Sequence, residues 1–193
     1  MNDNDLYSYV LRGELTKVAL NNTEIVSKHS SSDILINDYI NCLSLDLLDD
    51  ECVISAKEMA TVYVAIASFE NMVRKFVVKI LLEHKGEDWW NSCVSDKIRK
   101  IAEARKDEEE KIKWHTQRGT SMINYVDFSD LASIMQQNLE LFEIHISSID
   151  WARQIFKTLE RSRNVIMHSG ELSRKDIERI GTNIRDWIHQ VGN

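Results

Sequence analysis

The chain has 193 residues, a formal net charge of −7, 43% hydrophobic and 28% charged side chains, no proline and six glycines. That is enough for one domain with a sizeable core, or one domain plus a small extension, and so few chain breakers point to long helices with short connections. No apolar run reaches the roughly eighteen residues of a spanning helix, and the acidic start "MNDNDLYSYV" is no signal peptide. Cys42, Cys52 and Cys93 are scattered and form no CxxC, which excludes a disulfide framework and makes a reducing cytoplasm the expected location.

Residues 1–54 hold three basic and ten acidic side chains and are expected to form a separate acidic extension. Two short helices are predicted in it, near Leu6–Leu20 and Ile34–Leu48, with Ser27–Asp33 as the loop between them. From Ser55 the pattern sharpens. Ser55 and Glu58 have capping-box spacing, and Met59, Val62, Ile66, Phe69, Val73, Phe76 and Ile80 follow in steps of three and four. This predicts a long amphipathic helix ending near Gly86 in the left-handed position.

A second helix is expected from near Asp88 through Trp114, its mixed-charge run (Arg105–Lys113) solvated. "HTQRGTSMINYV" reads as an irregular crossing. "DFSDLASIMQQNLELFEIH" reads as one helix with Leu131, Ile134, Met135 and Phe142 inward. Another helix runs from near Asp150 to near Gly170. The last opens on the "SRKD" cap and is expected to bury Ile177, Ile180, Ile184, Ile188 and Val191, with Gly181 packed closely against a neighbouring helix. The sum is an all-α bundle of four to five principal helices over residues 55–193.

The helix ending in "LERSRNVIMHSGELS" holds an anomaly. On a wheel of about 100° per residue, Arg163 falls within the stripe made by Ala152, Ile155, Phe156, Leu159, Ile166 and Met167. A charge there is costly to desolvate unless it is paired or faces a site. Two readings stay open. Either Arg163 pairs with a carboxylate of another helix, Glu70 being the candidate because it flanks the first stripe and has Arg74 four residues on, or it projects into a cleft or against a second subunit. Glu160, Asn164 and His168 form an i, i+4, i+8 row well away from Arg163. One ideal helix therefore does not bring Arg163 and His168 together. They cooperate only if the helix unwinds at its end or a second copy completes the site.

"RNVIMH", Arg163 to His168, resembles the Arg-x(4–6)-His motif of the HEPN superfamily (higher eukaryotes and prokaryotes nucleotide-binding domains), in which the residue after the arginine is commonly polar, as Asn164 is. "VAIASFENMVRKFV", "WWNSCV" and "YVDFSDL" are further points of likeness, so that the resemblance spans roughly residues 55–190. It implies an all-α bundle and, in catalytic members, a homodimeric, metal-independent endoribonuclease with a composite site. In that reading His168 moves protons, Arg163 holds the phosphate, and Asn164 orients either. Arg161, which also fits the spacing, with Glu160, Glu70 and Arg74, supports them. No cofactor is implied. The partners implied are RNA, tRNA among them, a second copy, and an antitoxin or other regulatory protein of a toxin or antiviral-defence system, with no membrane. The alternatives are a non-catalytic HEPN-like nucleotide- or partner-binding module, and an unrelated helical interaction domain in which Arg163 is a buried ion-pair partner. No HExxH or Cys/His cluster for a metal, no GxxxxGK[ST], no GxGxxG and no GxSxG is present.

Overall fold

A computed structural model describes residues 36–191 of the protein, and its described residues contain helices and no strand. The chain divides into two compact units, Met1–Ile54 and Ser55–Asn193. In the first, residues 36–42 are helical and Leu45–Leu47 form a 3-10 turn after Ser44, whose φ is 51°. The predicted helix Leu6–Leu20, the loop Ser27–Asp33 and the start of the Ile34–Leu48 helix lie outside the described residues.

Seven helices follow: α1 (Asp50–Lys85), α2 (Trp89–Cys93), α3 (Asp96–Glu110), α4 (Phe128–Gln137), α5 (Leu139–Phe142), α6 (Ile149–Met167) and α7 (Arg174–Val191). The first long helix begins five residues before the expected cap, so Ser55 lies inside it. The Ser55 hydroxyl donates instead to Glu171 at 2.6 Å. The α1 stripe is buried as the spacing predicts, apart from half-buried Phe76, and Gly86 ends it with φ 65°. By length and composition the stretch Asp50–Cys93 is apolar enough to cross a membrane, although no uninterrupted apolar run is. Mean hydropathy over a window tolerates two charges, whereas a run does not.

Two helices predicted as continuous are broken. Val94 and Ser95 separate α2 from α3, and Asn138 (φ −123°, ψ 41°) separates α4 from α5. The two breaks bind each other. The buried Asn138 amide donates to the carbonyls of Cys93 at 2.9 Å and Ile134 at 2.8 Å, and the Ser95 N–H donates to Gln137 at 3.2 Å. Backbone groups freed at one break are thus satisfied at the other, an exchange no local pattern encodes.

Helices α1, α4, α6 and α7 each contribute one ring to a central cluster: Phe69, Phe128, Phe156 and Trp187. Phe128 stacks on Phe156 at 4.5 Å, and Phe69 stands edge-on to Phe128, Phe156 and Trp187 at 5.9, 6.3 and 5.8 Å. Trp187 is the buried anchor of α7, while Ile188, expected inside, is 48% exposed. Ile188 falls about 80° from Ile180 on the wheel, at the edge of the stripe, whereas Trp187 lies near its middle. Gly181 is not a close-packing point either. A Cβ there would meet only the Arg185 guanidinium of its own helix, at 3.2 Å.

The two ends flanking the α6–α7 turn are closed locally. Ser173 caps α7, as predicted: its hydroxyl accepts the Asp176 N–H at 3.3 Å and donates to the Asp176 carboxylate at 2.6 Å. That bond holds the carboxyl below its ordinary range. Helix α6 ends in a Schellman motif, with Gly170 N–H to the Val165 carbonyl at 2.8 Å and Ser169 N–H to the Ile166 carbonyl at 3.0 Å. The left-handed residue is Ser169 (φ 60°), not the glycine. Gly170 serves a different need, since a Cβ on it would lie 2.8 Å from Val165 Cγ1 and 3.0 Å from the Val165 carbonyl oxygen.

These two positions should therefore respond in opposite directions. Ser169→Gly relieves a left-handed strain of about 1–2 kcal/mol, minus the extra entropy of glycine, and is expected to raise stability by about 0.5 kcal/mol. Gly170→Ala should lower it by about 1–3 kcal/mol. Urea unfolding of the two variants beside the parent checks both signs.

Candidate active site

Next to Phe69 on α1, Glu70 is 6% exposed and carries a carboxylate at the edge of the aromatic cluster. Three groups meet there. Arg74, one turn on, donates to Glu70 Oε1 at 2.6 Å, and Arg163 Nη1 donates to Oε1 at 3.2 Å and Oε2 at 3.1 Å. Of the two readings of Arg163, the ion pair with Glu70 is the one formed. The reason is geometric. Arg163 lies two turns beyond Phe156 on the same face of α6, and a helical side chain leans back toward the N-terminus, here toward the ring cluster and Glu70.

Arg74 does more than neutralise. Its Nε donates to the Ile123 carbonyl at 3.3 Å and its Nη2 to the Val126 carbonyl at 3.1 Å. Arg105 donates to the Tyr125 carbonyl at 2.8 Å and to Asp127 at 2.5 Å. Two arginines thus tie down the 3-10 turn Met122–Tyr125, part of the expected irregular crossing, whose carbonyls lack helical partners. Arg105 was read as part of a solvated charge run. It is half-buried instead, because Asp127, distant in sequence, faces it. No spacing signal could have found that pair.

The remaining candidates separate. Arg163 is 26% exposed at its side chain, and among the described residues its hydrogen bonds use only Nη1, so Nε and Nη2 keep donors available. Arg161, two residues away and therefore on another side of α6, is exposed and does not reach Glu70. Asn164 is exposed, and it is its backbone carbonyl that accepts the His168 N–H, at 3.1 Å. His168 is the C-terminal cap of α6 (φ −100°, ψ 24°), with an exposed side chain. The helix stays regular through Met167, so Arg163 and His168 of one chain remain on different sides of it. Glu160 is half-buried, and desolvation raises its pKa. The charges of Asp127, Glu70 and Asp130 push it the same way, against Arg163. Asp130 is also raised, by desolvation and then by Asp127. No group of three metal-binding side chains occurs among the described residues.

Removing the carboxylate should cost more than removing either arginine. Glu70→Ala leaves two partly buried guanidiniums unpaired and is expected to lower stability by about 3–5 kcal/mol. Arg163→Ala leaves Glu70 paired with Arg74 and should cost only about 1–2 kcal/mol. Denaturant unfolding of the three proteins checks the order.

Glu160 and Asp130 set a pH trend. The folded chain holds their protons more tightly than the unfolded chain, so stability from these groups falls as pH rises above the ordinary carboxylate values. Glu160→Gln should raise the Tm at pH 7 and leave it nearly unchanged at pH 3.5, as measured by thermal melts across that range.

No curated protein and no solved structure matches the chain. The model of the Swt1-like HEPN family matches residues 65–192, a span that takes in Glu70, the arginines and the whole of α6 and α7. That span covers most of the chain and the helices that carry the Arg163–His168 motif, and the protein belongs to the Swt1-like HEPN family.

Proposed function

We propose that this HEPN-type protein is an endoribonuclease that acts as a homodimer and cleaves RNA by attack of the ribose 2′-OH on the adjacent phosphorus. The observation that carries the reading is the state of Arg163. Glu70 holds the guanidinium from one side through Nη1, while its other donors are uncommitted and a quarter of the side chain meets solvent. An arginine fixed in this way can take a phosphate with little loss of side-chain entropy.

In the proposed reaction the 2′-oxygen bonds to phosphorus, the 5′-oxygen leaves, and a 2′,3′-cyclic phosphate remains. His168, exposed at the end of α6, accepts the 2′-OH proton or gives one to the leaving oxygen. Arg163 stabilises the charge that grows on the phosphate oxygens. Arg163 and His168 of one helix diverge, so two α6 helices together supply a complete site. The exposed apolar side chains of Val165 (40%) and Met167 (63%), beside His168, suit contact with a second copy. Asn164 and Arg161, both exposed on the same helix, are positioned to touch RNA rather than core. A toxin or antiviral-defence role in the cytoplasm, with tRNA as one substrate and a regulatory protein to restrain the activity, is the setting such an enzyme would fit.

The second reading is a non-catalytic nucleotide- or partner-binding module. The contact of Arg163 Nη1 with both Glu70 carboxylate oxygens favours it, because such an ion pair has a structural use without any chemistry.

A mixed tRNA pool incubated with the protein in EDTA separates the two. Wild type is expected to cut it and leave 2′,3′-cyclic phosphate ends, His168→Ala to lose about 10²–10⁴-fold in rate, and an all-DNA strand of the same sequence to stay intact. Equal cleavage by wild type and His168→Ala would remove His168 from the mechanism, and no cleavage by either would favour the binding module.

A further inference from the structure

Trp114 is 86% exposed, more than any other large apolar side chain described, and its neighbour Ile112 is 43% exposed. An indole held in water needs a reason, and this one sits on a pinned loop. Glu109, at the end of α3, accepts the Arg118 Nε–H at 2.5 Å and the Arg118 backbone N–H at 3.1 Å. The Arg118 guanidinium lies 5.4 Å from the centre of the Tyr125 ring, and the Tyr125 hydroxyl donates to the Gly119 carbonyl at 3.0 Å. A Cβ on Gly119 would meet the side-chain amide of Asn124, which would have to swing aside. His115 turns back onto Ile112 through its N–H at 3.2 Å and stands edge-on to Trp114 at 5.6 Å. The loop is also attached to the site. Tyr125 and its neighbours are held by Arg105 and by Arg74, the same Arg74 that shares Glu70 with Arg163.

Its charge is unusual for the chain. From Lys111 to Val126 there is no carboxylate, the longest such run in a sequence of net charge −7; Lys111 and Lys113 stand on either side of Ile112, and Trp114 follows Lys113. Of the four acids just before it, Glu109 is taken by Arg118 and Glu110 pairs with Lys106 at 3.6 Å, while Asp107 and Glu108 are exposed on α3. A tryptophan that anchors a protein partner is normally set among apolar neighbours. In sequence Trp114 has one exposed apolar neighbour, Ile112, and otherwise Lys113, His115, Thr116 and Gln117. An exposed ring beside point positive charges is the arrangement that binds single strands, with the ring stacking on a base and the lysines facing phosphates.

We infer that the loop Lys111–Arg118 is a second RNA contact, at which Trp114 stacks on an unpaired base and Lys111 and Lys113 meet the phosphates beside it. The inference rests on the ribonuclease reading for its substrate. It adds where a single-stranded part of that substrate is held, away from the Arg163–His168 helix. Stacking accepts any base, so the contact should prefer unpaired over paired RNA and be indifferent to sequence.

The test is fluorescence anisotropy of a labelled, unstructured RNA of about twelve nucleotides, titrated with the full-length His168→Ala protein, which does not consume it. Adding Trp114→Ala should weaken binding about 5- to 150-fold, the range of one lost base stack, while Trp114→Phe keeps most of it. Lys111→Gln and Lys113→Gln should each lower the slope of log affinity against log salt by about 0.7. Thermal melts should be unmoved by Trp114→Ala. Binding within twofold of the parent, or a lowered melting temperature, would overturn the inference. So would absence of RNA binding by the parent, or loss of a dimer on Trp114→Ala in sedimentation. Failure here with intact tRNA cleavage by wild type leaves the ribonuclease reading in place. Trp114-dependent binding without cleavage would instead sink that reading and keep the contact.

Discussion

The carboxylate of Glu70 is the constraint on which this architecture turns. A buried negative charge must be neutralised where it stands, because desolvation without a partner costs several kcal/mol. Neutralisation here takes two arginines from different parts of the chain, Arg74 on the same helix and Arg163 on α6. Once Arg74 is fixed, its remaining donors fix the carbonyls of Ile123 and Val126, and with them the crossing between α3 and α4. One charge therefore sets the relation of α1, α6 and a connection that has no regular hydrogen bonding of its own.

The ring cluster makes this possible. Phe69 meets Phe128, Phe156 and Trp187, and Glu70 is the next residue, so the carboxylate emerges where the apolar contacts end. The packing supplies the low dielectric that strengthens the ion pair and makes it costly to break. The same surroundings raise the pKa of Glu160 and Asp130, where desolvation and like charges outweigh the nearby arginines. The region is thus crowded with charge of both signs. A phosphate entering it would exploit the uncommitted donors of Arg163 and would be opposed by any ionised Glu160.

The end of α6 is built for a defined exit rather than for flexibility. Ser169 takes the left-handed position, Gly170 closes on Val165, and His168 is left at the cap with its side chain outward. This keeps histidine and arginine on separate sides of a regular helix. In the proposed ribonuclease the separation is resolved by a second copy, which makes dimerisation part of the chemistry.

How much of this was legible beforehand depends on the range of the interaction. The apolar spacing on α1, the Ser173 cap and the Gly86 stop are local, and the sequence alone determined them, together with the all-α class and the resemblance carried by "RNVIMH". The wheel also exposed Arg163 as a charge in an apolar stripe and offered Glu70 as a candidate partner, beside the open alternative of a cleft or second subunit; the tertiary structure chose between them. Only the tertiary structure decided the breaks at Ser95 and Asn138 and the Arg105–Asp127 pair. Each depends on groups far apart in the chain that meet only once the helices have packed, and a periodicity of three and four residues carries no information about them.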